Sequence, residues 1–409
     1  MTPLWRNRDF VLLQSGQLFS TAGTQATQIA YPLLVLALTH SPGRAGIVGF
    51  ASFAPYALFA LLAGVAADRW NRRWLMLGAD VVRIAAIGSL VAALAFDRAT
   101  FAQIAAVAFL EGTAFVFFNI AEVGALRSVV PAAQLPDAAA AEQARFATVT
   151  LVGPSAGGAL FGLGRALPFV ADVASYGFSI VSLLAMRTPF QEARERDTAP
   201  LRTQIREGIS WLWRQPYLRT SALIFGGNNF VWQGVILLFV VVARRHGLSG
   251  GVIGALIAGF GACSLLGSLT APRAARLLPV RGIMLLSQWL TGLFVLYLVW
   301  PSPYAVVASL LPAGFVVPWM NAVIIGYRTA VTPDHLIGRV SSVARNLAFI
   351  GMPLGPLVSG LLLDGYGTRT TVVVLASLAA ALAVWSTLSP SIRNAPSLAE
   401  LDAADAALA

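Results

Sequence analysis

Apolar stretches of about twenty residues follow one another along almost the whole chain, separated by short polar joints. A helix needs about 20 apolar residues to cross the hydrocarbon core of a bilayer. Stretches of that kind lie near 10–38, 45–67, 75–96, 101–126, 142–163, 168–187, 217–243, 250–271, 281–300, 303–327, 339–363 and 370–389. They predict twelve transmembrane helices, hence an all-α polytopic membrane protein. The one long joint, 188–216, has six spans on either side. The expected organisation is a six-helix bundle over 1–187, a linker over 188–216, a second six-helix bundle over 217–390 and a tail over 391–409.

Composition supports this pattern. Of 409 residues 57% are hydrophobic and 11% charged, where a soluble domain carries about 25% charged residues. The mean hydropathy is +0.74. All 28 cationic side chains are arginine, and the net charge is +10. They are scattered through the joints and form no stripe along one helix, so they imply membrane topology, not a nucleic-acid partner.

An even number of spans puts both termini on one side. If that side is cytoplasmic, nineteen arginines lie inside, six outside, and Arg83, Arg145 and Arg345 fall within spans. The positive-inside rule favours this orientation. Trp5, Trp70, Trp74, Trp211, Trp213 and Trp300 stand at span ends, where interfacial aromatics belong. The N-terminus leads into the first span with no small-residue cleavage site, so an uncleaved span is expected, not a signal peptide.

Leu201, Ile205, Ile209 and Leu212 recur at helical spacing in the linker. They fit an amphipathic helix on the cytoplasmic surface, or simply a charged tether. Ser397 and Glu400 form a capping-box pattern in the tail. One cysteine, Cys263, and three scattered histidines offer neither an intrachain disulfide nor a metal-ligand cluster, so no metal or cofactor is expected.

The two halves repeat. "GPSAGGAL" starts at Gly153 in span five and "GPLVSGLL" at Gly355 in span eleven, 202 residues apart. "AADRWNRR" and "APRAARLL" close spans two and eight at nearly the same offset. Such duplication marks paired six-span halves, a transporter architecture.

The joint "GVAADRWNRRWLM" resembles the loop-2/3 signature of the major facilitator superfamily through Gly64, Asp68, Arg69, Arg72 and Arg73, with Ala66 and Asn71 departing from it. Asn tolerates a left-handed turn better than other non-glycine residues, so the second departure is mild. Gly153, Pro154, Gly157 and Gly158 resemble a motif of that superfamily's proton-coupled exporters. "LGADVVRI" and "VADVASYGFS" resemble its macrolide-efflux and enterobactin-exporter branch. The resemblance implies two pseudo-symmetric bundles, alternating access, and a gate latch at Asp68 facing the start of span eleven. Arg69, Arg72 and Arg73 are expected to meet Glu122 or lipid phosphates. Pro272 near the Asp68 position of the second half implies a one-sided latch.

Charges inside spans carry the chemistry. Glu111 falls near the middle of span four; an ionised group there costs about 2.5–3.5 kcal/mol on insertion scales. A carboxyl alternately open to either side can carry a proton. It can equally be a permanently neutral hydrogen-bonding group or a partner for a substrate cation. Glu111, Phe115, Phe118 and Glu122 share one helix face, which suggests a cavity-lining stripe.

Asp80 and Arg83 are spaced to pair on span three. Asp172 in span six fits a capping or gating role. Arg145 and Arg345 can snorkel or draw anionic substrate groups. Gln14, Gln17, Thr21, Gln25 and Gln28 in span one, with Asn228, Asn229, Trp232 and Gln233 in span seven, offer a polar lining for a substrate cavity. Gly351, Pro353, Gly355 and Pro356 in span eleven and Pro312 and Pro318 in span ten permit kinks.

The expectation is a monomeric exporter of amphipathic small molecules in the bacterial cytoplasmic membrane, with the lipid bilayer as its surroundings and the proton gradient as its energy source. A nutrient importer or lipid transporter of the same fold, or a transport-inactive receptor, is the alternative. An intramembrane enzyme would need a clustered nucleophile or metal set, and the spans contain none.

Overall fold

The computed structural model describes residues 3–190 and 201–396, together with Glu400. Among the described residues every regular element is helical. In chain order they are α1 (Arg8–Thr39), α2 (Pro42–Arg69), α3 (Arg72–Ala95), α4 (Phe101–Val129), α5 (Leu135–Leu163), α6 (Leu167–Ala185), α7 (Leu201–Arg214), α8 (Pro216–Arg245), α9 (Gly250–Leu277), α10 (Val280–Thr291), α11 (Pro303–Val331), α12 (Asp334–Phe349), α13 (Leu354–Gly365), α14 (Gly367–Leu388) and α15 (Pro390–Arg393).

Among the described residues eleven segments are long and apolar enough to cross a membrane, the last but one running from α12 through α13. The twelfth expected span, α1, has the length, at 32 residues. Gln25 and Gln28 dilute its apolar run, and they belong to the polar stripe noted above. The all-α architecture is the observed one, with eleven candidate spans and α1 long enough to be the twelfth.

Side-chain caps set many helix starts. Asn7 accepts from the Asp9 and Phe10 amides to open α1. Ser41, Thr100 and Ser302 do the same for α2, α4 and α11. Each satisfies an amide that the first turn leaves without an intrahelical partner. Asn71 is also such a cap. Its φ is −63°, so it stands outside the left-handed region expected of it, and it accepts from the Arg73 and Trp74 amides instead.

The proline and glycine positions divide unevenly. Span eleven breaks between Phe349 and Leu354, as Gly351 and Pro353 suggested. α11 runs unbroken past Pro312 and Pro318. Span nine, in contrast, tightens into a 3-10 helix over Gly292–Leu298, which no proline announced.

Contacts divide the chain into two compact units, Met1–Glu195 with Ala243–Gly259, and Arg196–Val242 with Phe260–Ala409. In the first, α1 packs on α5 and α6, α2 on α4, and α3 on α4 and α6. Phe10, Leu13, Met76, Phe118, Leu183 and Phe190 centre its core. In the second, Leu212, Ile224, Ile283, Met284, Val323 and Ile392 do so. Leu58, Leu62, Leu266, Leu269 and Val374 are exposed, as lipid-facing positions should be.

The linker helix exists as α7, but it lies against α12, not simply on the membrane surface. Leu212 is fully buried, and Glu207 forms an ion pair with Arg339. Ile209 is exposed. Ser397, the first half of the tail's capping pattern, lies outside the described residues.

Small residues let helices touch in the first unit. A Cβ on Gly157 would lie 2.4 Å from the Ala26 carbonyl oxygen of α1. A Cβ on Gly158 would lie 2.1 Å from the Gly250 carbonyl oxygen in the first turn of α9. In the second unit Gly351 and Gly355 meet Gly226 and Phe230 of α8 in the same way. The equivalent glycines of the repeat, Gly153 and Gly355, each pack on a glutamine of the equivalent span, their would-be Cβ atoms 2.6 Å from that of Gln25 and 3.1 Å from that of Gln233. Gly157→Val is expected to force α1 and α5 apart at about 1–3 kcal/mol or more, read as a lower melting temperature in detergent.

Candidate functional site

The first unit gathers its charges inside. Asp80 and Arg83 from α3 pair at 3.1 Å, both buried, as the i,i+3 spacing predicted. The Arg83 guanidinium lies over the rings of Phe118 and Phe115 from α4 and of Tyr176 from α6, at 4.9, 5.7 and 5.0 Å. An arginine so enclosed gains from the ring quadrupoles, yet its Nε and Nη2 have no hydrogen-bond acceptor.

Glu111 is 5% exposed. Tyr31 of α1 donates to its Oε2 at 2.6 Å and Tyr176 to its Oε1 at 3.3 Å. Thr24 Oγ1 lies 2.9 Å from the Tyr176 hydroxyl. The stripe Glu111, Phe115, Phe118 and Glu122 does share a face, but Phe118 and both carboxyls are buried. It is internal to the unit, covering Arg83, instead of lining an open cavity.

Asp172 departs furthest from expectation. It is wholly buried, with Thr27 Oγ1 donating to its Oδ2 at 3.0 Å and Ser175 Oγ 3.3 Å from its Oδ1. A Cβ on Gly23 would fall 2.3 Å from its Oδ1, so α1 admits this carboxyl only with glycine there. Asp172 therefore packs on the face of α1 that also serves Glu111, through Thr27 where Glu111 has Tyr31, and caps no helix end. Tyr31, Tyr176, Thr24 and Thr27 were missed in the sequence. Their signal was present: Thr24, Thr27 and Tyr31 follow at i, i+3, i+7, and Tyr176 stands one turn after Asp172.

Glu122 binds Arg145 at 2.9 Å, and Glu142 lies 3.9 Å from the same guanidinium. This replaces two expectations, Glu122 as partner of the joint's arginines and Arg145 as a snorkelling or anion-drawing side chain. Burial explains it: a carboxylate with 9% side-chain exposure takes the nearest cation that is buried with it.

The joint's arginines serve carbonyls. Arg72 donates to Ala67, Gly124 and Phe190 oxygens, and Arg73 to those of Leu183, Leu184 and Met186. Helix C-termini present unpaired carbonyls and negative dipole ends, so the two arginines tie α2, α4 and α6 together. Asp9 does the converse, accepting from the Arg187 and Thr188 amides. Asp68 is exposed, 3.8 Å from Arg72, and Arg69 is exposed. A Cβ on Gly64 would meet nothing within 4 Å, so packing does not explain the glycine there.

The polar stripe of α1 splits. Gln14 and Gln17 are buried, Thr21 and Gln25 half-buried, Gln28 exposed. Only the later members can face an open lining. Gly153 packs on Gln25, its would-be Cβ 2.6 Å from the glutamine Cβ. Gly254 meets Pro154 similarly. In α8, Asn229 donates to the Ala348 carbonyl at 2.8 Å and so holds α8 to α12. Asn228, Trp232 and Gln233 are half-buried, with Trp232 stacked on Phe260 at 4.3 Å. Arg345 is exposed.

Paired helical halves, charges buried at mid-span and glycine-packed crossings are features of a membrane transporter, and comparison with known proteins agrees. Residues 14–279 and 222–405 match the Major Facilitator Superfamily, and the chain belongs to that family. It is 28% identical over 401 residues to the multidrug efflux pump Tap of Mycolicibacterium fortuitum, covering 94% of this chain and 96% of that protein. It is 25% identical over 364 residues to the enterobactin exporter EntS of Escherichia coli O1:K1, covering 85% and 83%. A crystal structure of a bacterial homologue of the human lysosomal transporter Spinster, in an inward-facing, unoccupied conformation, shares the fold. Its TM-score is 0.74 at 16% identity, covering 95% of this chain and 97% of that one. Fold and relatives are those of transporters, not enzymes.

Arg145→Ala would strand a buried carboxylate, and breaking such a pair costs about 3–5 kcal/mol. Thermal unfolding in detergent should show the loss, and Arg145→Ala combined with Glu122→Gln should recover most of it.

Proposed function

We propose that this protein is a secondary active transporter that exports amphipathic small molecules by alternating access, coupled to protons moving inward. It works as a monomer in the lipid bilayer of the bacterial cytoplasmic membrane, with both termini inside, an orientation supported by the arginine bias. The roles its relatives are named for, a multidrug efflux pump and an enterobactin exporter, support export of drug-like or siderophore-like compounds.

The observation that carries the coupling is Glu111. It sits midway along α4, buried, held by a tyrosine hydroxyl at 2.6 Å, and among the described residues no ion pair reaches it. A carboxyl in that setting can be neutral at little cost, whereas ionising it needs water or a new partner. Opening to one side and then the other supplies that water in turn. One proton crossing 100 mV releases about 2.3 kcal/mol, which sustains a concentration ratio of about fifty-fold.

The joint between α2 and α3 is the gate latch of this reading. Arg72 and Arg73 hold it against α4 and α6, and the exposed Asp68 carboxylate is the group assigned to the latch. Asp68→Asn is expected to cut ethidium export about tenfold or more with normal membrane insertion. Full activity would remove the latch.

Addition of ethidium, a lipophilic cation, to proteoliposomes should release protons with wild type and none with Glu111→Gln. Dye movement without proton flux in both proteins would refute the antiport.

A further inference from the structure

The buried charges of the first unit do not balance. Five carboxyls, Asp9, Asp80, Glu111, Glu122 and Asp172, are buried there with one buried arginine, Arg83, and one nearly so, Arg145; Asp9 is held by the Arg187 and Thr188 amides. Arg83 pairs with Asp80 and Arg145 with Glu122. Glu142, the further acid of α5, stands at the Arg145 pair. Glu111 and Asp172 are left, with no cation of their own among the described residues.

Their hydrogen bonds separate them from ordinary buried carboxylates. Neither receives a backbone N–H among the described contacts, and only hydroxyls surround them: Tyr31, Thr24 and Thr27 from α1, Tyr176 and Ser175 from α6. Each hydroxyl has one proton. Thr27 Oγ1 lies 2.9 Å from the Thr24 carbonyl oxygen as well as 3.0 Å from Asp172 Oδ2. Ser175 Oγ lies 2.7 Å from the Asp172 carbonyl oxygen and 3.3 Å from Oδ1. A carbonyl can only accept. Thr27 has one proton for two acceptors: given to Oδ2 it serves an Asp172 carboxylate, and given to the Thr24 carbonyl it leaves Oγ1 to accept from a protonated Asp172.

We infer that Asp172 is a second proton-binding carboxyl that titrates jointly with Glu111, the two being held on one face of α1, Asp172 by the Thr27 hydroxyl and Glu111 by those of Tyr31 and Tyr176, the latter in contact with Thr24. Asp172 as a neutral acid donates from Oδ2 to Thr27 Oγ1, and Thr27 donates to the Thr24 carbonyl. When the Asp172 proton leaves, Thr27 turns its own proton to the carboxylate, so one O–H reorientation accompanies each loss and no bond other than Asp172 O–H breaks. Arg83, with two N–H groups lacking acceptors, lies beside Tyr176 and is the counter-charge at hand for a carboxylate formed in this cluster. The inference rests on the antiport reading for its use, but not for its test.

Infrared difference spectroscopy on the full-length protein in lipid reads protonated carboxyls directly, through their C=O stretch, without any substrate. Wild type should lose two such bands on raising the pH, in two steps separated by about one pH unit or more, as interacting sites do. Asp172→Asn should remove one band and leave a single step; Glu111→Gln should remove the other. Thr27→Val keeps both carboxyls and should shift the frequency of the Asp172 band, which reports on the linkage if Asp172→Asn does not fold. A wild-type spectrum with no Asp172 band, or a Glu111 step unaltered in Asp172→Asn, overturns the inference while leaving Glu111-driven antiport standing. Two coupled bands without proton flux during ethidium transport would instead defeat the antiport reading alone.

Discussion

A polar group inside a helix bundle that faces hydrocarbon has no water to fall back on, so its partner must come from another helix. That requirement organises the first unit. Arg83 and Asp80 are brought together on one helix, then roofed by aromatic rings from α4 and α6. Glu122 is answered from α5, and Glu111 from α1 and α6. Thr24, Thr27 and Tyr31 of α1 are placed where the acids need them, and Gly23 leaves the space that the Asp172 carboxyl occupies.

The same constraint acts at the helix ends. Arg72 and Arg73 are charges kept near the interface, where the cost of holding them is small. They direct their donors at C-terminal carbonyls of three helices. A joint of two residues between α2 and α3 is thereby tied to α4 and α6, with Asp68 and Arg69 left exposed.

Span positions and the Asp80–Arg83 pair were legible in the sequence because each rests on a local period, twenty apolar residues or an i,i+3 step. The partner of Glu122 and the setting of Asp172 were not. Arg145 lies 23 residues from Glu122, and Thr27 lies 145 from Asp172; only the crossing of helices joins them. The polar residues of α1 misled in part for a related reason. Gln14 and Gln17 share a stripe with Gln28, yet that stripe turns from a buried face to an open one along the helix. Asn71 was read by its tolerance for a turn, when its side-chain acceptor was what the start of α3 used.

The most direct test of coupling between buried carboxyl and export uses the wild-type protein and an imposed gradient. Inverted proteoliposomes with an acidic lumen, bathed at neutral pH, should accumulate ethidium against its own gradient in proportion to the pH difference, and lose it when a protonophore is added. Accumulation indifferent to the pH difference and to the protonophore would contradict the account.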